Sequence, residues 1–159
     1  MRNGRGTGKA GLGRAVKMRR LLLPLAALPL IGATPKAGAD IDVMVSNMRS
    51  ADGQVFACLA PAKDSFPDCK GTGGKDMKIP ATEAGHFTFR NVVPGHYAIA
   101  IIHDENGNGK IDKALMIPKE GFGFSRDAPV RMGPPPFKAA AFDVGSEDVT
   151  QPIKMRYIL

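Results

Sequence analysis

An all-β domain, folded as an antiparallel sandwich of about seven strands, is what this sequence predicts downstream of its first 39 residues. Three observations carry that prediction. Short apolar runs alternate with polar residues, Gly, Pro, Asn and Asp bound the runs, and no stretch shows the period of an amphipathic helix.

The elements follow in order. Ile41, Val43 and Val45 alternate with Asp42, Met44 and Ser46, the pattern of a strand with one buried face. Val55, Ala57 and Leu59 form a second run, and Phe87 and Phe89 alternate with Thr88 and Arg90. Tyr97, Ile99 and Ile101 make the next strand. Its other face, Ala98, Ala100 and Ile102, is also apolar, which predicts a central strand. Phe142 with Val144, then Ile153, Met155 and Tyr157 set against Lys154 and Arg156, complete the set.

Residues 115–138 break the pattern. Pro118, Pro129, Pro134, Pro135 and Pro136, with Gly121, Gly123 and Gly133, read as a long loop with room for one short strand, because Pro removes ladder donors and Gly weakens strands. Such loops in compact domains serve binding or lie disordered. Phe122, Phe124 and Phe137 argue for a segment pinned to the core, either as a packed flap or as a binding surface.

Residues 1–39 read as a cleavable signal peptide. A basic region ends at Arg19-Arg20, Leu21 to Ile31 forms the apolar stretch, and Ala37-Gly38-Ala39 offers a small-x-small cleavage pattern. That stretch holds Pro24 and Pro29 and falls well short of the roughly 20 residues a membrane span needs, so no transmembrane anchor is expected after cleavage. Two readings account for the long Gly-rich start. One is translation from Met18, which leaves a compact ordinary signal; the other is a twin-arginine export signal, which the residues flanking Arg19-Arg20 fit poorly.

This segment decides what the charge means. The chain has 22 basic and 15 acidic residues, but eight basic residues and no acidic one precede Asp40. The remaining 14 basic and 15 acidic residues make residues 40–159, the single predicted domain, close to neutral. Nucleic acid is therefore not an expected partner. A periplasmic or secreted location is expected, with an envelope protein or glycan as the partner class.

Cys58 and Cys69 are the two cysteines of an exported domain, so a disulfide is expected. It closes a loop of about a dozen residues and contributes roughly 3 kcal/mol on the chain-entropy model. Neither C-x-x-C spacing nor a nearby His supports a redox or metal role.

The strongest local motif is Asp104–Asp112, DENGNGKID. Asp104, Asn106 and Asn108 fall at positions 1, 3 and 5 of an EF-hand-type loop, Gly109 at 6, the Lys110 carbonyl at 7 and Asp112 at 9. A tightly wound loop turns alternate residues inward, so hard oxygens converge on one cation, and calcium is the expected cofactor. Leu115 stands at position 12, where a full site has a bidentate Glu, so affinity is expected to be modest unless Glu120 or Asp127 folds back. A competing reading needs no metal: Asn106-Gly107 and Asn108-Gly109 are also dipeptides of tight hairpin turns. His86 and His96 read as surface or edge residues, while His103 abuts the loop as a further candidate ligand.

Two resemblances follow from longer stretches. Gly85–Ile99, GHFTFRNVVPGHYAI, resembles the strand–turn–strand of transthyretin-like and carboxypeptidase-regulatory-like sandwiches. More specifically, His103–Asp112, Ile117–Ser125, Gly133–Phe137 and Ala141–Val144 resemble the exported bacterial family called domain of unknown function 2141, over about Ile41 to Leu159. That resemblance implies an Ig-like or transthyretin-like sandwich and export, and no established activity. Transthyretin-like hydrolases of 5-hydroxyisourate end in Tyr-Arg-Gly-Ser; this chain ends Met155–Leu159, MRYIL, which does not support that activity.

The expected function is a non-enzymatic binding or structural role at the envelope. A hydrolase would have to draw on Ser125, Arg126 and Asp127 beside His103, because no G-x-S-x-G or H-E-x-x-H signature is present. A small apolar-ligand carrier is the remaining alternative.

Overall fold

The structure, a computed structural model, describes Gly11 and residues 38–110, 113–114 and 117–158. Apart from Gly11, Gly38 and Ala39, the expected signal peptide lies outside the described residues, as do Asp112 and Leu115. Among the described residues, no helix is long and apolar enough to cross a membrane.

Two sheets face each other. β1 (Ala39–Ser46) lies between β10 (Val149–Lys154) and β4 (His86–Val92) in the first. The second runs β3 (Lys75–Pro80), β2 (Gln54–Ala60), β5 (Gly95–Asp104) and β8 (Gly121–Phe124), with β9 (Phe142–Val144) pairing the start of β5. β6 (Lys113–Ala114) and β7 (Ile117–Pro118) pair only with each other. The all-β sandwich is as expected.

Alternation explains the core. Ile41 and Val43 of β1, Phe87 and Phe89 of β4, and Ile153 of β10 meet Val55 and Leu59 of β2 and Ile99 and Ile101 of β5. Each fully buried aliphatic side chain of this kind stabilises the fold by roughly 1.5–3 kcal/mol. The second apolar face of β5 is covered too. Ala98 and Ala100 pack with Phe124, Ala128 and Ala140, against which Phe66 and Phe137 lean. The 125–141 segment thus acts as a flap over the outer face of the second sheet. Its pin is Ser125, whose buried Oγ accepts from the Ile99 amide at 2.9 Å and donates to the Ala140 carbonyl at 2.6 Å.

The cysteines are joined. Cys58 and Cys69 form a disulfide with a Cα–Cα separation of 5.6 Å, tying the loop that carries Phe66 to central strand β2. The Phe66 ring lies 5.8 Å from that of Phe124 and 6.1 Å from that of Phe137, so the disulfide loop helps roof the flap.

Three features depart from the sequence-based expectation. The sandwich is not wholly antiparallel, because β1 and β10 run parallel from Ile41↔Val149 to Ser46↔Lys154. β3, unforeseen, carries only a short alternation, Met77 and Ile79 facing the core and Asp76 and Lys78 facing out, with Ile79 as its one buried residue, and it satisfies the free edge of the β2 backbone. The 115–138 stretch is less irregular than expected: it holds β7 and β8, and all four residues of β8 are buried.

The sandwich is closed on one side. Phe122 and Arg156 exchange both backbone hydrogen bonds, at 3.0 and 2.8 Å, which joins β8 to the extension of β10. Across the other side, Lys75 Nζ at the β3 edge donates to the Arg90 and Asn91 carbonyls of β4, each at 3.3 Å.

Candidate functional site

β5 ends at Asp104, and the candidate metal loop begins on that residue. Strand pairing sets Gln54 of β2 directly across from it. Gln54 Nε2 donates to Asp104 Oδ2 at 2.9 Å, and the Gly109 amide donates to the same oxygen at 2.8 Å. The Asn108 amide donates to Asp104 Oδ1 at 3.3 Å. Two further turns repeat the device: Asn106 Oδ1 accepts from the Asn108 amide at 3.0 Å, and Asn108 Oδ1 from the Lys110 amide at 2.7 Å. Four oxygens on three side chains therefore wind the backbone around themselves. Gly109 takes φ +72°, the left-handed turn its position calls for.

Asp104 is fully buried. Burial acts to raise its pKa, but the hydrogen bonds from Gln54 and from the Gly109, Asn108 and Gly107 amides outweigh it and hold the carboxyl below its ordinary range. A carboxylate oxygen and an amide oxygen each offer two lone pairs. The donor set of Asp104, Asn106, Asn108 and the Lys110 carbonyl is thus all hard oxygen, the chemistry that suits calcium. Among the described residues, no three carboxylate, imidazole or thiol groups gather around a common point, so amide and carbonyl oxygens would have to fill most of such a shell.

The chain does turn back against β5, but as β8, with His103 across from Gly121, after the β6–β7 pair rather than within one tight turn. Asp104–Gly107 closes a β-turn of its own, the Gly107 amide donating to the Asp104 carbonyl at 3.3 Å. The loop is an excursion wound on its own oxygens.

His103 is not available as a ligand. Alternation from Ile99 and Ile101 carries it to the inner face, where it is fully buried. Its Nε2 lies 2.9 Å from the Asp52 carbonyl and its Nδ1 2.8 Å from Tyr157 Oη. A carbonyl only accepts, so Nε2 carries the hydrogen, and in the neutral ring Nδ1 accepts from the Tyr157 hydroxyl. That hydroxyl also accepts from the Arg49 amide at 3.2 Å. Both ring nitrogens are spent on holding the β1–β2 connection and the C-terminal segment against the base of the loop. Replacing Tyr157 by Phe leaves buried Nδ1 without a donor, and chemical denaturation is expected to show a loss of about 1–3 kcal/mol; a loss under about 0.5 kcal/mol would show that this bond does not hold the segment.

A network that sequence reasoning missed surrounds this base. The Arg49 guanidinium sits 4.4 Å over the Tyr157 ring and grips the Glu105 carboxylate, with Nη2 at 2.5 Å and Nε at 2.9 Å from Oε2. Ser50 Oγ donates to Glu105 Oε1 at 2.8 Å. The Arg49 hydrogen bond holds the Glu105 carboxyl below its usual range despite partial burial. Burial pushes the Tyr157 phenol up, only partly offset by the Arg49 amide. No local motif announces these contacts, since Arg49 and Tyr157 are 108 residues apart in the chain.

The remaining candidates are scattered. Glu120 is buried just before β8, and Asp127 pairs with Arg156 Nη2 at 2.5 Å on the surface. Ser125, placed in the flap, is not joined to His103, and exposed Arg126 donates to the Ala141 carbonyl at 3.0 Å. His86 and His96 are exposed, facing Asp42 and Asp143 respectively.

The family model described as an uncharacterized protein conserved in bacteria (DUF2141) matches residues 43–152. No curated protein and no solved structure gives a significant match.

Proposed function

The chain belongs to the DUF2141 family, and from that premise we propose that it is an exported, non-enzymatic β-sandwich that serves binding or structure at the cell envelope, with a calcium-binding loop at Asp104–Asp112. The observation that carries the reading is that side-chain oxygens of Asp104, Asn106 and Asn108, at alternate positions, wind the backbone of a loop anchored on β5 and Gln54. Calcium bound there would tie the loop to the rigid end of the sandwich through Asp104, Asn106, Asn108, the Lys110 carbonyl and Asp112. The neighbouring Glu105 carboxylate is occupied by Arg49 and Ser50 and is not counted among the ligands. A disulfide fits an oxidising compartment outside the cytoplasm, where calcium is plentiful. The burial of Ser125 within the flap, its hydroxyl spent on Ile99 and Ala140, supports binding over hydrolysis.

The test is thermal melting with calcium or with chelator. A ligand at about a hundred times its dissociation constant stabilises by roughly 2.7 kcal/mol. Sites with few charges bind in the range of about 0.1–1 mM, so calcium at several millimolar is expected to raise the melting temperature by several degrees. Asn106→Ala with Asn108→Ala, both exposed positions, should abolish that rise while leaving the melting temperature in chelator within a few degrees of the parent. A parent protein that melts identically in calcium and chelator removes the metal from the account.

A further inference from the structure

A shallow groove of about 410 Å³ runs beside the closed edge of the sandwich, between the end of the chain and the flap. Its apolar lining includes Phe122, Val130 and Ile158, and its cations are Arg131, Lys154 and Arg156. Three observations make it more than a surface crease. Arg131 and Lys154 are exposed and make no ion pair with any described residue. Arg156 spends Nη2 on Asp127, but its Nη1 is buried with no acceptor. Ile158 is 53 % exposed, and Met132, 104 % exposed, lines an adjoining groove that shares Arg131. Two of the four exposed large hydrophobic residues among those described thus stand beside the unpaired cations.

We propose that this groove binds a single-chain anionic amphiphile, a carboxylate on an acyl chain. Unpaired cations beside an apolar floor complement a ligand with one anionic end and one apolar body, and the volume lies in the range of small-molecule sites. A bare anion leaves Ile158 and Val130 wet; an uncharged alkyl chain leaves Arg131, Lys154 and the Nη1 of Arg156 without an acceptor. The groove meets the base of the Asp104 loop only through Tyr157, which lines it, and none of the candidate calcium ligands does.

The probe is decanoate, kept below its micelle concentration and titrated into the full exported chain labelled with nitrogen-15. Saturable shifts are expected at the amides of Val130, Arg131, Lys154 and Ile158. Decanol and acetate should each bind at least about tenfold more weakly, as should decanoate to the Arg131→Gln, Lys154→Gln double variant. Both positions are exposed, so the variant's melting temperature should match the parent's, which separates lost binding from lost fold. The proposal is overturned if decanoate does not saturate, if its shifts lie elsewhere, or if the double variant binds as the parent does. Equal binding of decanol marks an apolar surface only, equal binding of acetate marks an adventitious ion only, and tighter binding of an acidic, leucine-containing peptide assigns the groove to a polypeptide partner; each of these also overturns it.

Discussion

Gly53→Ala is expected to destabilise the domain by about 3 kcal/mol or more, with a fall in melting temperature of roughly 10 °C. Gly53 sits at φ +69°, where a side chain is strained, and its backbone lies against the peptide that begins the candidate loop. A Cβ there would enter the shell of the Asp104 carbonyl oxygen and stand 2.7 Å from the Glu105 carbonyl oxygen. Neither neighbour can yield, because Asp104 is paired in β5 and Glu105 is held by Arg49 and Ser50. The connection from β1 to β2 would lift instead, taking the Asp52 carbonyl away from His103 and Gln54 away from Asp104. Gly107→Ala is the control. Its φ of +67° is nearly the same, but nothing lies within 4 Å of the added carbon. That variant should show only the cost of the left-handed conformation, about 1–2 kcal/mol. Equal losses in urea for the two variants would mean that the close approach to Asp104 contributes nothing.

Removing the disulfide should cost a comparable amount. Cys58→Ala with Cys69→Ser opens a closure spanning 11 positions, and the chain-entropy model assigns such a closure roughly 3 kcal/mol. The effect reaches beyond the loop, since Phe66 rides on it and packs against Phe124 and Phe137. Near-ultraviolet circular dichroism should therefore change along with the melting temperature, and reduction of the parent protein should reproduce both changes. A stability loss below about 1 kcal/mol would show that the loop holds its shape through packing alone.

Much of this fold was legible because burial leaves a period-2 signature. The inward faces of β1, β2, β4 and β5 read directly as Ile41 and Val43, Val55 and Leu59, Phe87 and Phe89, Ile99 and Ile101. The doubly apolar β5 foretold a central strand, and it lies between β2 and β8. Strand direction leaves no such mark, and so the parallel pairing of β1 with β10 was invisible. β3 was missed for a related reason: at a sheet edge, with one buried residue, backbone demand makes the strand and side chains add little. In the candidate site, residues adjacent in sequence were visible and those joined across the chain were not. Asp104, Asn106 and Asn108 declared themselves by spacing, whereas Arg49, Gln54 and Tyr157 arrive from other strands and connections. His103 is the instructive case. Its nearness to the loop suggested a ligand, while the alternation running through Ile99 and Ile101 already pointed it inward, and the second signal prevailed.

The parallel pairing of β1 with β10 has a kinetic meaning. β1 is the middle strand of its sheet, and one of its two neighbours is the last strand among the described residues, over a hundred residues away. Until that partner arrives, Ile41 and Val43 lie on an open, adhesive edge, and the loop to be closed is nearly the whole domain. Contact order this high favours slow, late folding. A chain still emerging from the ribosome cannot complete this sheet before β10 has been made.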